Sequence, residues 1–250
     1  MNNRASLCQF LDALLKPENF NDYCPNGLQI EGKESIRKVI TGVTASLRFI
    51  EEAINANADV LLVHHGFFWK GENACLTGIK KKRIELILKH DLNLIAYHLP
   101  LDFHPEVGNN IQLAKIMGWT IDENSLQVCP WGLVGSTMSP LKPAEMSELI
   151  TSKLGRTPLH IGPNAGLIER IAWCTGGAQN YFEQAIDLGV DAFITGEISE
   201  KHVHIARETG VHFFSAGHHA TERYGVQAVG HFLQQTFNIE HQFIDVDSPV

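Results

Sequence analysis

The sequence predicts an α/β fold built from two topologically similar halves. Short β-rich apolar runs alternate with stretches of helical periodicity along the chain. That alternation layers helices on a largely parallel sheet. Several helical stretches stop at a glycine suited to a left-handed cap, namely Gly118, Gly155, Gly189 and Gly210. The chain also echoes itself. VITGVTAS (39–46) lies over IAWCTGGA (171–178), and AINANADVLLVHHG (53–66) over AIDLGVDAFITGEI (185–198). In the second pairing Ala53, Ile54 and Asp59 meet Ala185, Ile186 and Asp191, and a strand follows each aspartate. We read the echo as an internal duplication, with halves at 1–127 and 128–250 divided near Pro130.

Taken in order, the first half opens on a helix in which Leu7, Phe10, Leu11, Leu14 and Leu15 share one face. Gln9 and Asp12 interrupt it, so it lacks the unbroken apolar stretch of a signal peptide. Strands are expected at 37–43, 59–64 and 92–98, with helices over SLRFIEEAINA, IKKKRIELILKH and NNIQLAKIM. In the second half the expected strands are 132–138, 169–175, 190–195, 211–216 and 241–246. The helices there are AEMSELITSKL, NYFEQAIDL and EKHVHIARE. Residues 139–165, rich in Pro and Gly, are expected to form an irregular insertion.

Bulk composition narrows the function classes. At 250 residues, 44% of them hydrophobic and 19% charged, the chain can bury a full core as an ordinary globular protein. A net charge of −8 argues against binding a nucleic-acid polymer through its phosphates. The basic run Lys80-Lys81-Lys82-Arg83 opens an amphipathic helix and reads as a solvated face. Five scattered cysteines with no Cys-x-x-Cys argue against a disulfide framework and suggest a reducing compartment. No apolar run approaches membrane-spanning length. A cytoplasmic location without membrane partners is expected.

The chemistry sits at strand ends. His64-His65 closes the run LLVHH, and His218-His219 follows FFSAG. Each pair has a carboxylate nearby, Asp102 in AYHLPLD and Glu222 in HHATE. Imidazole plus carboxylate is the ligand chemistry of zinc, iron, manganese or nickel, so a metal site drawn from both halves is expected. Adjacent strand residues point to opposite faces, so His64 and His65 share a site only if the chain turns, a freedom expected of Gly66. His218 and Glu222 fall on one face if a helix starts near His219. Pro100 is expected to keep HLPLD as a loop, with His98 in a supporting position behind the ligands.

The motifs HHG (64–66), HLPLD (98–102), TGE (195–197) and GHHATE (217–222), with DYCPNGLQIEG (22–32) and TGVTAS (41–46), resemble the Nif-three-like family. This is the Ngg-one-interacting-factor-three family, whose bacterial members are often labelled type 2 GTP cyclohydrolase I homologues. The resemblance runs nearly end to end. It implies two α/β domains with a dinuclear metal centre in the cleft between them, and two divalent ions held by His64, His65, Asp102, His218 and Glu222. It also implies a ring-shaped homohexamer. Five protein ligands leave coordination positions open to water, as catalytic sites do. His98, Glu197 and His219 are candidates for proton transfer or for supporting the ligands.

Softer features stay open. Thr175-Gly176-Gly177-Ala178 is either an anion cradle or a plain tight turn. Phe67, Phe68 and Trp69 either stack on a flat substrate or pack between domains. The leading functional expectation is a metal-dependent hydrolase using metal-activated water on a small phosphate-bearing or nucleotide-like substrate. The alternatives are a non-catalytic metal-binding scaffold or regulatory ring, and opening of the GTP ring.

Overall fold

The computed structural model describes residues 3–250. The chain divides into two compact units. The first comprises the residues up to Gly108 and Arg223–Asp247, and the second comprises Asn109–Glu222 and Ser248–Val250. This division differs from the single boundary at 127/128 read from the sequence: the chain leaves the first unit earlier and comes back to it after Glu222.

The first unit is a three-layer α/β/α sandwich. Its elements are α1 (Arg4–Leu15), β1 (Gly27–Ile30), β2 (Lys38–Thr44), α2 (Leu47–Asn55), β3 (Val60–His65), α3 (Gly78–Lys89), β4 (Asn93–Ala96) and α4 (Leu99–Phe103). The sheet order is β1-β4-β3-β2 followed by the last strand of the chain, with β1 antiparallel and every other pair parallel. Alternation along β3 explains the layers. Leu61 and Val63 pack with Phe49, Ile50 and Ala53 of α2 and Ile84 and Ile87 of α3. Val60 and Leu62 face Leu7, Leu11 and Leu15 of α1, joined there by Val226, Val229 and Leu233 from near the C-terminus. A strand buried on both faces reads as a continuous apolar run, which is how VLLV appears in the sequence.

The second unit carries α5 (Asn109–Met117), β5 (Thr120–Ile121), α6 (Ser125–Val128), β6 (Leu133–Leu141), α7 (Pro143–Leu154), β7 (Leu159–Ile161) and β8 (Ile168–Trp173). These are followed by α8 (Phe182–Asp187), β9 (Ala192–Thr195), α9 (Glu200–Thr209), β10 (His212–Ser215) and α10 (His218–Thr221). Its sheet runs β5-β6-β8-β9-β10-β7. Only the centre, β8-β9-β10, is parallel; β5, β6 and β7 pair antiparallel. The pairing is therefore more mixed than the sequence suggests. Residues 139–165 are not an irregular insertion: they complete β6, form α7 and supply β7, which zips onto β10 as Phe213↔Ile161 and Ser215↔Leu159. Helix α11 (Arg223–Phe237) and β11 (Glu240–Phe243) belong to the first unit, where β11 pairs with β2.

Each unit contains a run of three parallel strands with an antiparallel strand on the same side, β2-β3-β4 with β1 and β8-β9-β10 with β7, and in the first unit β11 adds a fourth parallel strand beyond β2. The matched aspartates do matched work. Asp59 Oδ2 accepts the backbone N–H groups of Arg37 and Lys38, and Asp191 Oδ2 those of Glu169 and Arg170. Each carboxylate satisfies the leading amides of its unit's first parallel strand, which would otherwise lack partners.

Candidate metal centre

In the first unit the donors gather beyond the carboxyl end of β3. Strand parity assigns His64 and His65 to opposite faces of the sheet, yet at the last two residues of β3 their rings stand 4.6 Å apart between centroids. His64 is fully buried, with Nδ1 3.0 Å from the Tyr97 carbonyl oxygen. His65 has Nδ1 3.0 Å from Thr44 Oγ1, its register partner across β2. Gly66 is needed for space rather than for a left-handed turn. A Cβ there would stand 2.2 Å from Gln29 Oε1. That amide accepts the Phe67 N–H at 2.7 Å and donates to the Phe67 carbonyl at 3.1 Å, pinning the chain just after the histidines.

HLPLD is helical, contrary to the loop expected. Leu101 and Asp102 both donate backbone N–H groups to the His98 carbonyl, and α4 begins at Leu99. Pro100 falls in the first turn, where its missing N–H would have had no partner anyway. The turn sets His98 and Asp102 one above the other. Asp102 is buried, with Oδ1 3.5 Å from His64 Nε2. The His98 ring lies 5.1 Å from that of His64 and 5.8 Å from that of His65. His64, His65 and His98 each offer a ring nitrogen, and the three nitrogens lie within 4.8 Å of one another. His98 is thus a third imidazole of the group, where the sequence suggested a supporting residue. Its Nδ1 is 2.7 Å from Asp22 Oδ1. Burial would raise the Asp22 carboxyl, but hydrogen bonds from His98 and Asn26, the His98 charge and the Tyr23 N–H hold it down at about 2. Trp69 closes the side of the cluster: its Nε1 donates to the Gly66 carbonyl and its ring stands edge-on to His98 at 5.1 Å.

In the second unit α10 starts at His218, and Glu222 follows one turn later. His218 Nε2 lies 3.1 Å from Glu222 Oε2, and His218 Nδ1 lies 2.7 Å from Glu197 Oε1. Burial disfavours the imidazolium. The hydrogen bonds and charges of Glu222, then of Glu197, outweigh it and lift His218 to about 9. Two glycines make this packing possible. A Cβ on Gly176 would stand 2.0 Å from Glu222 Oε1, and one on Gly196 2.5 Å from His218 Cα. Gly176 also sits at φ 69°, the left-handed region.

The TGGA segment is a braced turn with three of its amides already bonded to side chains. The N–H of Thr175 donates to Asn110 Oδ1, that of Gly176 to Thr221 Oγ1 and that of Ala178 to Thr195 Oγ1. The Glu197 carboxylate stands about as close to Gly177 as side chains normally pack, which repels an anion. His219 joins none of the candidate donor groups among the described residues, and its backbone N–H is directed at the Val250 carbonyl. Phe67 packs in the first unit's core, while Phe68 is exposed at a left-handed φ of 66° beneath Lys80 Nζ. Sequence reasoning passed over Asp22, Asn26, Gln29 and Thr44, which orient the donors. Their only signal was the motifs DYCPNGLQIEG and TGVTAS, noted without a role: the first contains Asp22, Asn26 and Gln29, the second Thr44.

One chemical regularity runs through both units. The Nδ1 atoms of His64, His65, His98 and His218 each lie within hydrogen-bond reach of an oxygen, from Tyr97, Thr44, Asp22 and Glu197 respectively. A neutral imidazole that donates from Nδ1 carries its lone pair on Nε2, the arrangement that fixes tautomer and ring angle in metal-binding histidines; His218 would reach it by giving up its second proton to make way for a cation. The residues present therefore fit a first-row divalent cation.

The chain is similar to known proteins over nearly its whole length. The sequence model described as Duf34/NIF3 (NGG1p interacting factor 3) matches residues 2–249. A protein of Pseudomonas aeruginosa named "GTP cyclohydrolase 1 type 2 homolog" is 52% identical over 248 residues, covering 98% of each chain. The Escherichia coli protein of the same name is 46% identical, over 96% of this chain and 97% of that one. Among solved structures, a protein described as ybgI of unknown function superposes with a TM-score of 0.95 at 44% identity, covering 99% of this chain and 100% of the other.

Proposed function

The chain belongs to the Duf34/NIF3 family, and from that membership we propose that it is a dinuclear metal-dependent hydrolase. Its substrate in this reading is small and phosphate-bearing or nucleotide-like. The halves arose by duplication, and the donors of both units serve one pair of divalent ions in the cleft between them. The matched Asp59 and Asp191 strand locks support the duplication. The observation that carries the metal reading is the shared tethering of Nδ1 in four histidines beside buried carboxylates.

When bound, the metal pair would activate a water and neutralise negative charge on the substrate. His64, His65, His98 and Asp102 would hold it from the first unit, and His218 and Glu222 from the second. Asp102 and Glu222 would each offer two carboxylate oxygens to it. Glu197 holds the His218 Nδ1 proton and thereby orients its ring. Trp69 shields one side of the donor group from solvent. The relatives' name makes GTP one arm of the substrate test.

Elemental analysis of protein purified without chelator should return two first-row ions per chain. Asp102→Ala and Glu222→Ala should each lose at least one ion together with any turnover found in a screen of phosphoesters, nucleotides and amides. Turnover that survives metal removal would overturn the mechanism. Intact metal content with reproducible silence across the screen would favour a scaffold. The homohexamer implied by the family resemblance belongs to the same proposal.

A further inference from the structure

The DYCPNG segment (22–27) lies outside the ligand motifs yet reaches the first unit's donor group. Asp22, Cys24 and His98 have donor atoms within 4.8 Å of one another, so the trio could be taken for a second metal site. The hydrogen bonds argue otherwise. Asp22 Oδ1 already receives the Tyr23 N–H at 2.6 Å and faces His98 Nδ1 at 2.7 Å. Its Oδ2 receives Asn26 Nδ2 and the Leu99 N–H, both at 2.9 Å. A carboxylate offers about four lone-pair positions, and all four are spoken for. Cys24 is buried, and burial followed by the Asp22 charge pushes its thiol up to about 12, away from the thiolate that a metal needs.

We propose that Asp22, braced by Asn26, is a positioning residue that presets the first unit's metal donors, fixing His98 in the Nδ1–H tautomer and anchoring the start of α4. The inference rests on the metal reading given above. Its basis is what one carboxylate reaches. Oδ1 takes the imidazole proton, which leaves Nε2 with its lone pair on the side of His64 and His65. Oδ2 takes the Leu99 N–H, one of the orphan amides at the beginning of α4. His98, the residue before that helix, makes no side-chain cap of its own. Asn26 completes the clamp: its Oδ1 accepts the His98 backbone N–H at 2.7 Å while its Nδ2 holds Asp22. Through one turn of α4 the same clamp sets the height of Asp102, whose N–H is bonded to the His98 carbonyl. Two donors of the cluster thus take their places from a loop more than seventy residues upstream.

Asp22→Asn tests the count of donors. The amide has one accepting oxygen and an NH₂, so it cannot serve four N–H groups. Kept facing Leu99 and Asn26, its oxygen leaves the NH₂ against His98 Nδ1 and drives that ring to the Nε2–H tautomer, which blocks the donor nitrogen. The readout is ¹⁵N chemical shifts of histidine-labelled, metal-free protein at pH 8, with the His98 signals assigned by their loss in His98→Gln. Wild type should show His98 as Nδ1–H, and Asp22→Asn should shift it to Nε2–H. Zinc affinity, measured by chelator competition, should fall 10- to 100-fold in Asp22→Asn. In Asn26→Ala, which leaves the ring contact in place, it should fall about threefold or less. An Nε2–H tautomer in wild-type protein would overturn the inference even if the variant failed to fold, and so would unchanged zinc affinity in a folded Asp22→Asn. Wild-type protein that binds no zinc, yet holds His98 as Nδ1–H, would sink the metal reading and leave the clamp standing.

Discussion

At the residue scale the site is shaped by what cannot be added as much as by its donors. Gly176 illustrates this. Its left-handed φ and the carboxylate packed 2.0 Å from its missing Cβ leave no room for alanine. Gly176→Ala should destabilise the protein by about 1–3 kcal/mol and displace Glu222. Chemical denaturation with parallel zinc titration reads both effects. A variant of wild-type stability and affinity would mean that the turn relaxes freely. Gly66 makes the same argument with a flexible neighbour. Its alanine variant should be milder, because the Gln29 amide can retreat, at the cost of the two bonds that pin Phe67. The histidines themselves were legible from sequence, since paired imidazoles beside carboxylates are unusual outside metal sites. The oxygens behind them were not. Thr44 lies on a neighbouring strand and Asp22 in a distant loop, and no local spacing links either to the ring it holds.

At the element scale β11 carries a pH dependence. This strand extends the first sheet beside β2, and His241 on it bonds Thr41 Oγ1 at 2.9 Å. Burial first, then the neighbouring His231, depresses His241 to about 4. An unfolded histidine titrates near 6.5. Between those values the unfolded chain binds the proton and the folded one does not, so stability declines as pH falls from about 6.5 to about 4. His241→Gln, which keeps a partner for Thr41, should flatten that limb in melts taken from pH 7 to 4. An unchanged slope would assign the acid sensitivity elsewhere. The strand locks permit a second comparison. Asp59 is buried and also pairs with Lys33 Nζ at 2.7 Å, whereas Asp191 Oδ2 accepts the backbone amides of Glu169 and Arg170. Asp59→Asn should therefore cost more stability than Asp191→Asn, by about 1–2 kcal/mol. Equal costs in urea denaturation would show that Lys33 contributes nothing. Most strands were legible because a doubly buried run is apolar throughout. The short edge strands β1, β5 and β7 were not: a strand with one neighbour needs only a few residues and no continuous apolar run.

For the whole molecule the proposal makes metal a stabilising ligand. Stripping it by prolonged dialysis against a chelator should lower the melting temperature, and zinc or manganese should restore it, since an ion bound only by the folded state shifts the equilibrium toward it. An identical melt with and without metal would contradict the proposed metal binding. Light scattering should give the mass of six chains if the proposed ring forms. Among the described residues no helix is long and apolar enough to cross a membrane.

Local chemistry alone was enough to settle the α/β class, the run of helices and central strands, and the histidines and acids worth testing, because apolar periodicity and donor type are written residue by residue. Tertiary structure decided the rest. It sent the last helix and strand back to the first unit, turned HLPLD into a helical turn, tied three of the TGGA amides to side chains, and brought His98 beside the histidine pair. Each of those outcomes depends on a partner far away in the chain, and a hydrogen bond or a packing contact between distant residues leaves no periodic trace in either one's neighbourhood.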